Sequence, residues 1–484
     1  MKKIYLILTA SFIYFSSCSD LTTEPIGQIP LEDALETPTI AAAAAWVNDS
    51  YVMLSNTLNL MSEWDWNAGL VFQNDYILQD IASDDLEKKW APDGDQVWMD
   101  DINNFTFTAS NGGPNGLWKY DYEGIKRANI GLETLKNLPD SAEKTRLMGE
   151  AYFLRAYFYF SLVTNFGGVP LILSPIKSYQ QAFEVAERAE APLVWDQIVK
   201  DLNAAKDLLP NSKYSSDSEK WRASKGAVIA LLAKTALYNK KWSEVGPLVD
   251  QLTALGFSLN TNYFDSFNYT KEFAENEVIF QFDHQRGKQP RKGNGLCAVA
   301  SWGFFAPSTD FLNAFEPNDP RKKLTVDVTK QNANKIYGSL DGTNKADDDA
   351  PSNKVYIRYG DALLWKAEAL IELGDLPGAI AIINQIRTRA RNTPTADGSV
   401  TPAGTLPDRP ASSDKTTVKN WLISERRVEL GFENQRMLDL KRWGIAKEVM
   451  IAHGKNFQDK HMLYPIPQTE VDASAGLLKQ NPGY

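Results

Sequence analysis

A chain of 484 residues, 43% of them hydrophobic and 23% charged, has the make-up of a folded globular protein with room for a large core, which excludes a disordered or collagen-like polymer. The 51 Lys and Arg against 61 Asp and Glu leave a formal charge of −10, which removes nucleic acid as a partner, since phosphate backbones are held by an excess of cations. Two cysteines, Cys18 and Cys297, and three histidines, His284, His453 and His461, are too few and too scattered to suggest a disulfide framework or a metal cluster, so neither metal nor cofactor is expected.

Residues 1–17 read as an export signal, because Lys2 and Lys3 precede an apolar stretch from Ile4 to Phe15 that has the length of a signal-peptide core and is too short to cross a bilayer. Phe15-Ser16-Ser17-Cys18 resembles the lipobox at which bacterial signal peptidase II cuts beside an acylated cysteine, which would make a lipidated Cys18 the first mature residue. The alternative is ordinary cleavage at Ser17 or Ser19 with Cys18 incidental. Several acyl chains on one cysteine give the stable anchoring that a single chain does not. Cys297 then has no disulfide partner. Residues 18–40, with Pro25, Pro30 and Pro38, read as anchor and tether. No other run approaches the roughly 18 apolar residues of a spanning helix, so the body is tethered to a membrane without crossing it.

The body is predicted to be mostly α, in an N-terminal region 41–260 and a C-terminal region 261–484. Helical spacing of Leu117, Tyr120, Ile125, Ala128 and Leu132 predicts a helix over 116–136. The run 143–166 is apolar almost all round and predicts a buried central helix ended by Gly167-Gly168, in which Arg155 needs an internal partner. Two apolar stripes separated by Gly374-Asp375 predict a helix hairpin over 359–392, with Ala367, Gly374, Leu376 and Ala379 placed as in a tetratricopeptide (TPR) unit. Ala233, Ala236, Leu237 and then Trp242, Val245 and Leu248 repeat the order. Residues 62–115 and 261–350 are predicted as long loop insertions with little regular structure beyond short β-like pieces such as 278–282, and loops of that length are more often functional than accidental.

Among enzyme motifs GxxxxGK[ST], GxSxG and HExxH are missing, which removes the common phosphate-cradling, hydrolase-elbow and zincin chemistries. The turn Asp93-Gly94-Asp95 and the run Asp347-Asp348-Asp349 lack the spaced oxygen ligands of an EF-hand loop and read as solvated acidic loops, with calcium binding as the alternative. The tryptophans are more informative. Trp64, Trp66, Trp90, Trp98 and Trp302 fall in predicted loops beside Asn, Asp and Gln, whereas Trp118, Trp195 and Trp365 fall on helix-periodic stretches and read as core. A flat indole covers the C–H face of a sugar while neighbouring amides and carboxylates bond the hydroxyls. Burying ~100 Å² per stacked face at ~25 cal/mol/Å² is worth about 2.5 kcal/mol gross. The alternative for any one of these indoles is that it pins its loop to the core.

Taken jointly, several stretches resemble the SusD/RagB family of nutrient-binding outer-membrane lipoproteins: Ser19-Asp20 and Glu24-Pro25 after the cysteine; Ser83-Asp84-Asp85; Glu150-Ala151-Tyr152-Phe153-Leu154-Arg155-Ala156-Tyr157-Phe158 followed by Phe166-Gly167-Gly168-Val169-Pro170; Glu425-Arg426-Arg427 through Arg442-Trp443-Gly444; and Pro465-Ile466-Pro467 with Gln480-Asn481-Pro482-Gly483-Tyr484. The charged run containing Glu425, Arg426, Glu429, Glu433 and Arg436 has i, i+3 and i+4 spacings suited to ion pairs along a helix and reads as architecture. The resemblance implies a scaffold of four TPR-like helix pairs with a loop-rich irregular half carrying the ligand site. It implies a non-catalytic, lipid-anchored protein on the outer face of the outer membrane that binds oligosaccharide and passes it to a SusC-like TonB-dependent transporter. An oligopeptide-binding relative and a secreted helical glycoside hydrolase are the alternatives. In starch-binding relatives the site is an aromatic arc from the loop after the serine-aspartate motif and a later loop, which by region corresponds here to Trp90, Asp95, Gln96, Trp98 and Trp302.

Overall fold

The computed structural model describes residues 35–484 apart from 212, 215, 217 and 218. The export signal, Cys18 and most of the tether lie outside the described residues. Helices α1 (Ile40–Val52), α2 (Val97–Asn104), α3 (Gly112–Lys136), α4 (Ala142–Phe166), α5 (Ala191–Leu208), α6 (Lys225–Tyr238), α7 (Trp242–Ala254), α8 (Tyr359–Leu373), α9 (Leu376–Asn392), α10 (Lys415–Leu430) and α11 (Arg436–Trp443) dominate, with four short strands, β1 (Leu86–Lys89), β2 (Val278–Phe282), β3 (Phe304–Pro307) and β4 (Lys354–Arg358). Several helices start where a side chain replaces a missing backbone partner: Thr39, Asn111, Ser141, Asp375 and Asp414 each accept from an N–H of the first turn. Three stop at a glycine with positive φ, α4 at Gly167, α8 at Gly374 and α11 at Gly444, where φ is 76°, 91° and 75°.

The long helices pack in series, α1 on α3, α3 on α4, α4 on α5, α5 on α6, α6 on α7, α7 on α8 and α8 on α9. Four helix pairs, α1/α3, α4/α5, α6/α7 and α8/α9, thus make one stack, consistent with the repeated hairpins expected from sequence. Arg155 on buried α4 meets its required partner across the α4/α5 pair: its guanidinium donates to both carboxylate oxygens of Asp201 at 2.8 and 2.7 Å, and to Asn129 Oδ1 at 2.8 Å.

The insertions carry more regular structure than expected. β1 pairs antiparallel with β3, joining the first insertion to the second across more than two hundred residues, and β2 pairs antiparallel with β4. A π-helical turn, Ile77–Ile81, and α2 also lie within 62–115. Elements of four to eight residues are too short to show a periodic signal, and pairing between distant strands leaves none at all.

The charged run near the C-terminus is architecture, but its ion pairs differ from those expected. Glu425, Arg426 and Glu429 are buried on α10, so they draw partners from other elements rather than from one turn away. Glu429 accepts from Arg358 at 2.7 Å, Arg321 at 2.9 Å and Arg389; Glu425 meets Arg321 and Arg387; Arg426 meets Asp361 and Asp439; Glu433 meets Lys335 and Arg358. Arg436 forks onto both oxygens of Asp84 at 2.7 Å, and Arg427 reaches Asp85 at 2.7 Å. The serine-aspartate motif and the arginine-rich motif therefore hold each other, tying the first insertion to α10 and α11 by charge-assisted bonds.

Candidate ligand-binding site

Two loops meet to form the site. The first, 57–71, is closed at its base by Asn59 N–H donating to Val71 O at 2.7 Å, and its tip is shaped by Asn59 Oδ1 accepting from Trp64 N–H at 2.8 Å. The N-terminal end of α3 carries it from below. Asn74 Nδ2 donates to Gly69 O, Gly112 O and Gly113 O, Asn115 donates to Ala68 O and Tyr120 to Leu70 O. Gly69 sits so close that a Cβ on Gly112 or Gly116 would overlap the loop backbone. These glycines are required by close approach.

The second loop, 284–302, is fixed by buried His284. Its Nε2 accepts from Asn56 N–H at 3.2 Å while Nδ1 faces Lys292 O at 2.7 Å, which sets the proton on Nδ1. Burial pulls this imidazole down to about 3, so it stays neutral at physiological pH. Asp349 takes Gly287 N–H at 2.6 Å on one oxygen and Gly293 N–H at 2.8 Å on the other. The loop ends in the short helix Leu296–Ser301, capped by Trp302.

Between the loops, three indoles form a continuous aromatic surface. Trp64 stacks on Trp66 with centroids 6.4 Å apart and 27° between planes, and Trp66 lies 6.1 Å from Trp302. Trp66 is half-buried with its edge-to-face contact to Phe72 behind it, whereas Trp64 and Trp302 remain 48% and 45% exposed, a large fraction for indole. Trp64 also walls a cavity of about 380 Å³ whose other lining includes Thr57, Lys288, Gln289, Lys292, Asp348 and Asp349.

Of the residues expected at the site, Trp302 lies on this aromatic surface. Trp90 follows β1, is half-buried, and its N–H donates to Gly303 O at 3.2 Å, which seats it beside Trp302 in the backbone. Trp98 corrects the expectation: it lies on α2, buried at 8% exposure, with its indole N–H donated to Gln96 Oε1 at 3.0 Å, so its ring packs into the core. Gln96 in turn donates to Asp95 Oδ1, and Asp95 and Asp93 both pair with Lys89. This acidic turn therefore folds onto its own strand. Trp64 and Trp66, recognised in sequence only as loop tryptophans, are the indoles that Trp302 joins. Their spacing of two within a turn-rich stretch was the available signal. Lys288, Gln289 and Lys292 were missed, although a basic run at 286–292 facing an acidic run at 347–349 was visible.

A second groove, about 500 Å³, runs between α3, residues 170–186 and residues 470–478, lined by Met61, Trp118, Tyr122, Ile125, Ile172 and Val185 among others. Its wall also carries Lys119, Glu123, Lys126, Asn129 and Glu470, so polar partners are present, but its one indole, Trp118, is buried and offers a sugar no open face, unlike Trp64. Among the described residues no group of three or more His, Cys, Asp and Glu is placed to hold a metal ion, and no helix is long and apolar enough to cross a membrane.

Compared with known proteins, residues 328–484 match the profile of the SusD family, and residues 44–237 match a profile described as starch-binding associating with outer membrane. The chain is 25% identical over 539 residues to SusD-like protein P2 of Formosa agariphila, covering 100% of both chains. Among solved structures it is similar to a laminarin-binding SusD-like protein (24% identity, TM-score 0.74, 92% of this chain and 99% of that one) and to surface glycan-binding protein A from Bacteroides thetaiotaomicron in complex with laminarihexaose (20% identity, TM-score 0.70, 91% and 99%). At these identities the structural likeness establishes the fold.

Proposed function

The chain belongs to the SusD/RagB family, and from that premise we propose that it is a lipid-anchored protein of the outer membrane, facing the cell exterior, that binds oligosaccharide and delivers it to a SusC-like TonB-dependent transporter. The observation that carries this reading is the shelf of Trp64, Trp66 and Trp302 opening onto a polar cavity. Two exposed indoles at about 2.5 kcal/mol gross each, less the cost of association, give micromolar to millimolar affinity, suited to capture and release. Relatives named for laminarin and glycan binding support the same ligand class.

The protein binds without hydrolysing. Glycosidases set two carboxyl groups on opposite sides of the bond they cleave, about 5 to 9.5 Å apart. The carboxylates lining the cavity, Asp348 and Asp349, are chain neighbours on one wall, and Asp349 is held by two backbone N–H groups.

Isothermal titration against a glycan panel that includes laminarihexaose tests the assignment. Trp64→Ala and Trp302→Ala should each weaken binding about 10- to 50-fold, from the loss of about 1.5 to 2.3 kcal/mol of stacking. Trp98→Ala should leave the affinity of the folded fraction unchanged. Equal affinity in the Trp64, Trp66 and Trp302 variants and the wild type would reject the site. Labelled palmitate incorporated by the wild type and lost in Cys18→Ala tests the anchor.

A further inference from the structure

The two loops of the shelf share one support, the segment 349–356 that runs into β4. Its first half holds the second loop. Asp349 takes the Gly287 and Gly293 N–H groups, Ala350 O accepts from Asn294 N–H at 2.7 Å, Ser352 O accepts from Asn294 Nδ2 at 3.0 Å, and Asn353 Oδ1 accepts from His284 N–H at 2.9 Å. Its second half holds the feet of the first loop. Tyr356 donates its hydroxyl to Leu54 O, ahead of that loop, and Lys354 Nζ lies 2.7 Å from Asp75 Oδ2 and 2.8 Å from Gln73 Oε1, just beyond it. Lys354 also faces Phe282 in the β2/β4 ladder, two residues before His284. Support therefore passes from one loop to the other at Lys354.

This lysine is 1% exposed, its ammonium sits 4.9 and 5.7 Å from the Tyr356 and Tyr76 rings, and neither it nor Asp75 lines the cavity beside Trp64. Burying an ion pair carries a desolvation cost that its attraction offsets only in part, and an unbranched methionine would fill the same space. What the pair adds is direction. An ammonium bonded to both Asp75 and Gln73 admits one placement of residues 73–75 on β4, where apolar packing admits several. Immediately before them, Val71 O closes the first loop on Asn59 and Phe72 backs Trp66, so a shift at 73–75 moves Trp66 and Trp64 relative to Trp302. We propose that Lys354 is a positioning residue of the glycan site: touching no ligand, it fixes the first loop against the second so that the indoles meet in one arrangement. This rests on the reading of the tryptophan shelf as a glycan site.

Lys354→Met, Asp75→Asn and the double variant test it in the full protein, by titration with laminarihexaose, maltohexaose and xylohexaose and by hydrogen exchange without ligand. Lys354→Met should weaken the binding of whichever probe the wild type holds by about 10-fold, and should speed exchange of the Asn59 and Trp64 amides about 10-fold while α4 keeps its protection. Asp75→Asn should cost about 5-fold, and adding it to Lys354→Met should cost nothing further, because both changes remove one bond. Asp201→Asn, which breaks the Arg155 pair in the scaffold, is the control for instability: its urea midpoint should fall while its affinity stays that of the wild type. Affinity of Lys354→Met within about 2-fold of wild type, alongside a loss on Trp64→Ala, would overturn this proposal and leave the glycan site standing. Losses that multiply in the double variant, or an equal loss in Asp201→Asn, would overturn it as well. Should Lys354→Met not fold, Asp75→Asn decides alone, and a loss below about 2-fold overturns the proposal. No binding of any probe, or binding that ignores both Trp64→Ala and Trp302→Ala, would bring down the site itself and this proposal with it.

Discussion

Replacing Glu429 by Gln keeps the shape of a buried side chain and removes its charge, which makes it the sharpest probe of the ion network beneath α10. The carboxylate accepts from Arg358 at 2.7 Å, from Arg321 at 2.9 Å and from Arg389, all three guanidiniums buried. A hydrogen bond to a charged group exceeds a neutral one by about 1 kcal/mol, so three of them put about 3 kcal/mol at risk. The amide N–H₂ of glutamine cannot accept, and it sets a donor against a guanidinium, which brings the expected cost to about 3 to 5 kcal/mol, the range for breaking a buried ion pair. Urea unfolding followed by circular dichroism measures it. Glu372→Gln is the control, because its partners Lys415 and Lys419 are substantially exposed and a surface pair contributes less than about 1 kcal/mol. Acid gives a second readout. Burial alone would raise the Glu429 carboxyl, but Arg389, Arg358 and Arg321 outweigh it and hold the group well below its ordinary value of 4.5. Its folded-state value thus lies below its unfolded one, so its contribution is fully present above about pH 4.5 and is lost as pH falls toward the folded value. Glu429→Gln should flatten part of the wild-type fall in stability below that pH. A variant within 1 kcal/mol of wild type, with an unchanged acid slope, would refute the account of the network as mutually dependent charges.

Gly116→Ala should loosen the 57–71 loop, because its methyl group would press on Gly69 O; glycan affinity by titration should drop at least 5-fold while the helical circular dichroism signal is retained. Cys297 is buried and its thiol is pushed up to about 12, so iodoacetamide at pH 8 should leave it unmodified in the native protein and alkylate it in urea, as mass spectrometry of the 297 peptide would record.

Much of the scaffold was legible before any coordinates, because helices with a wide apolar face repeat their signal every three to four residues. The helices over 112–136 and 142–166 and the hairpin at 359–392 lie within a few residues of their predicted bounds, and the need of Arg155 for a partner followed from burying a charge among Phe153, Leu154 and Phe158. The site was less legible. Trp98 and Trp64 share a residue type and both sit in long insertions, yet one packs on an eight-residue helix and the other stands at a loop tip. Composition does not separate these two outcomes, since burial of an indole depends on which surfaces arrive beside it.

What the sequence by itself determined is therefore everything encoded at short range: the helices, two of their glycine stops, the requirement that interior charges be matched, and the motifs that mark the family. Only the tertiary structure decided the matches. It set Arg436 on Asp84 across 352 positions, joined β1 to β3, and brought Trp302 to Trp66. The physical reason is that an ion pair, a strand register and a stacked ring are properties of two partners at once. A local pattern specifies each partner's need, and only the folded chain specifies who meets it.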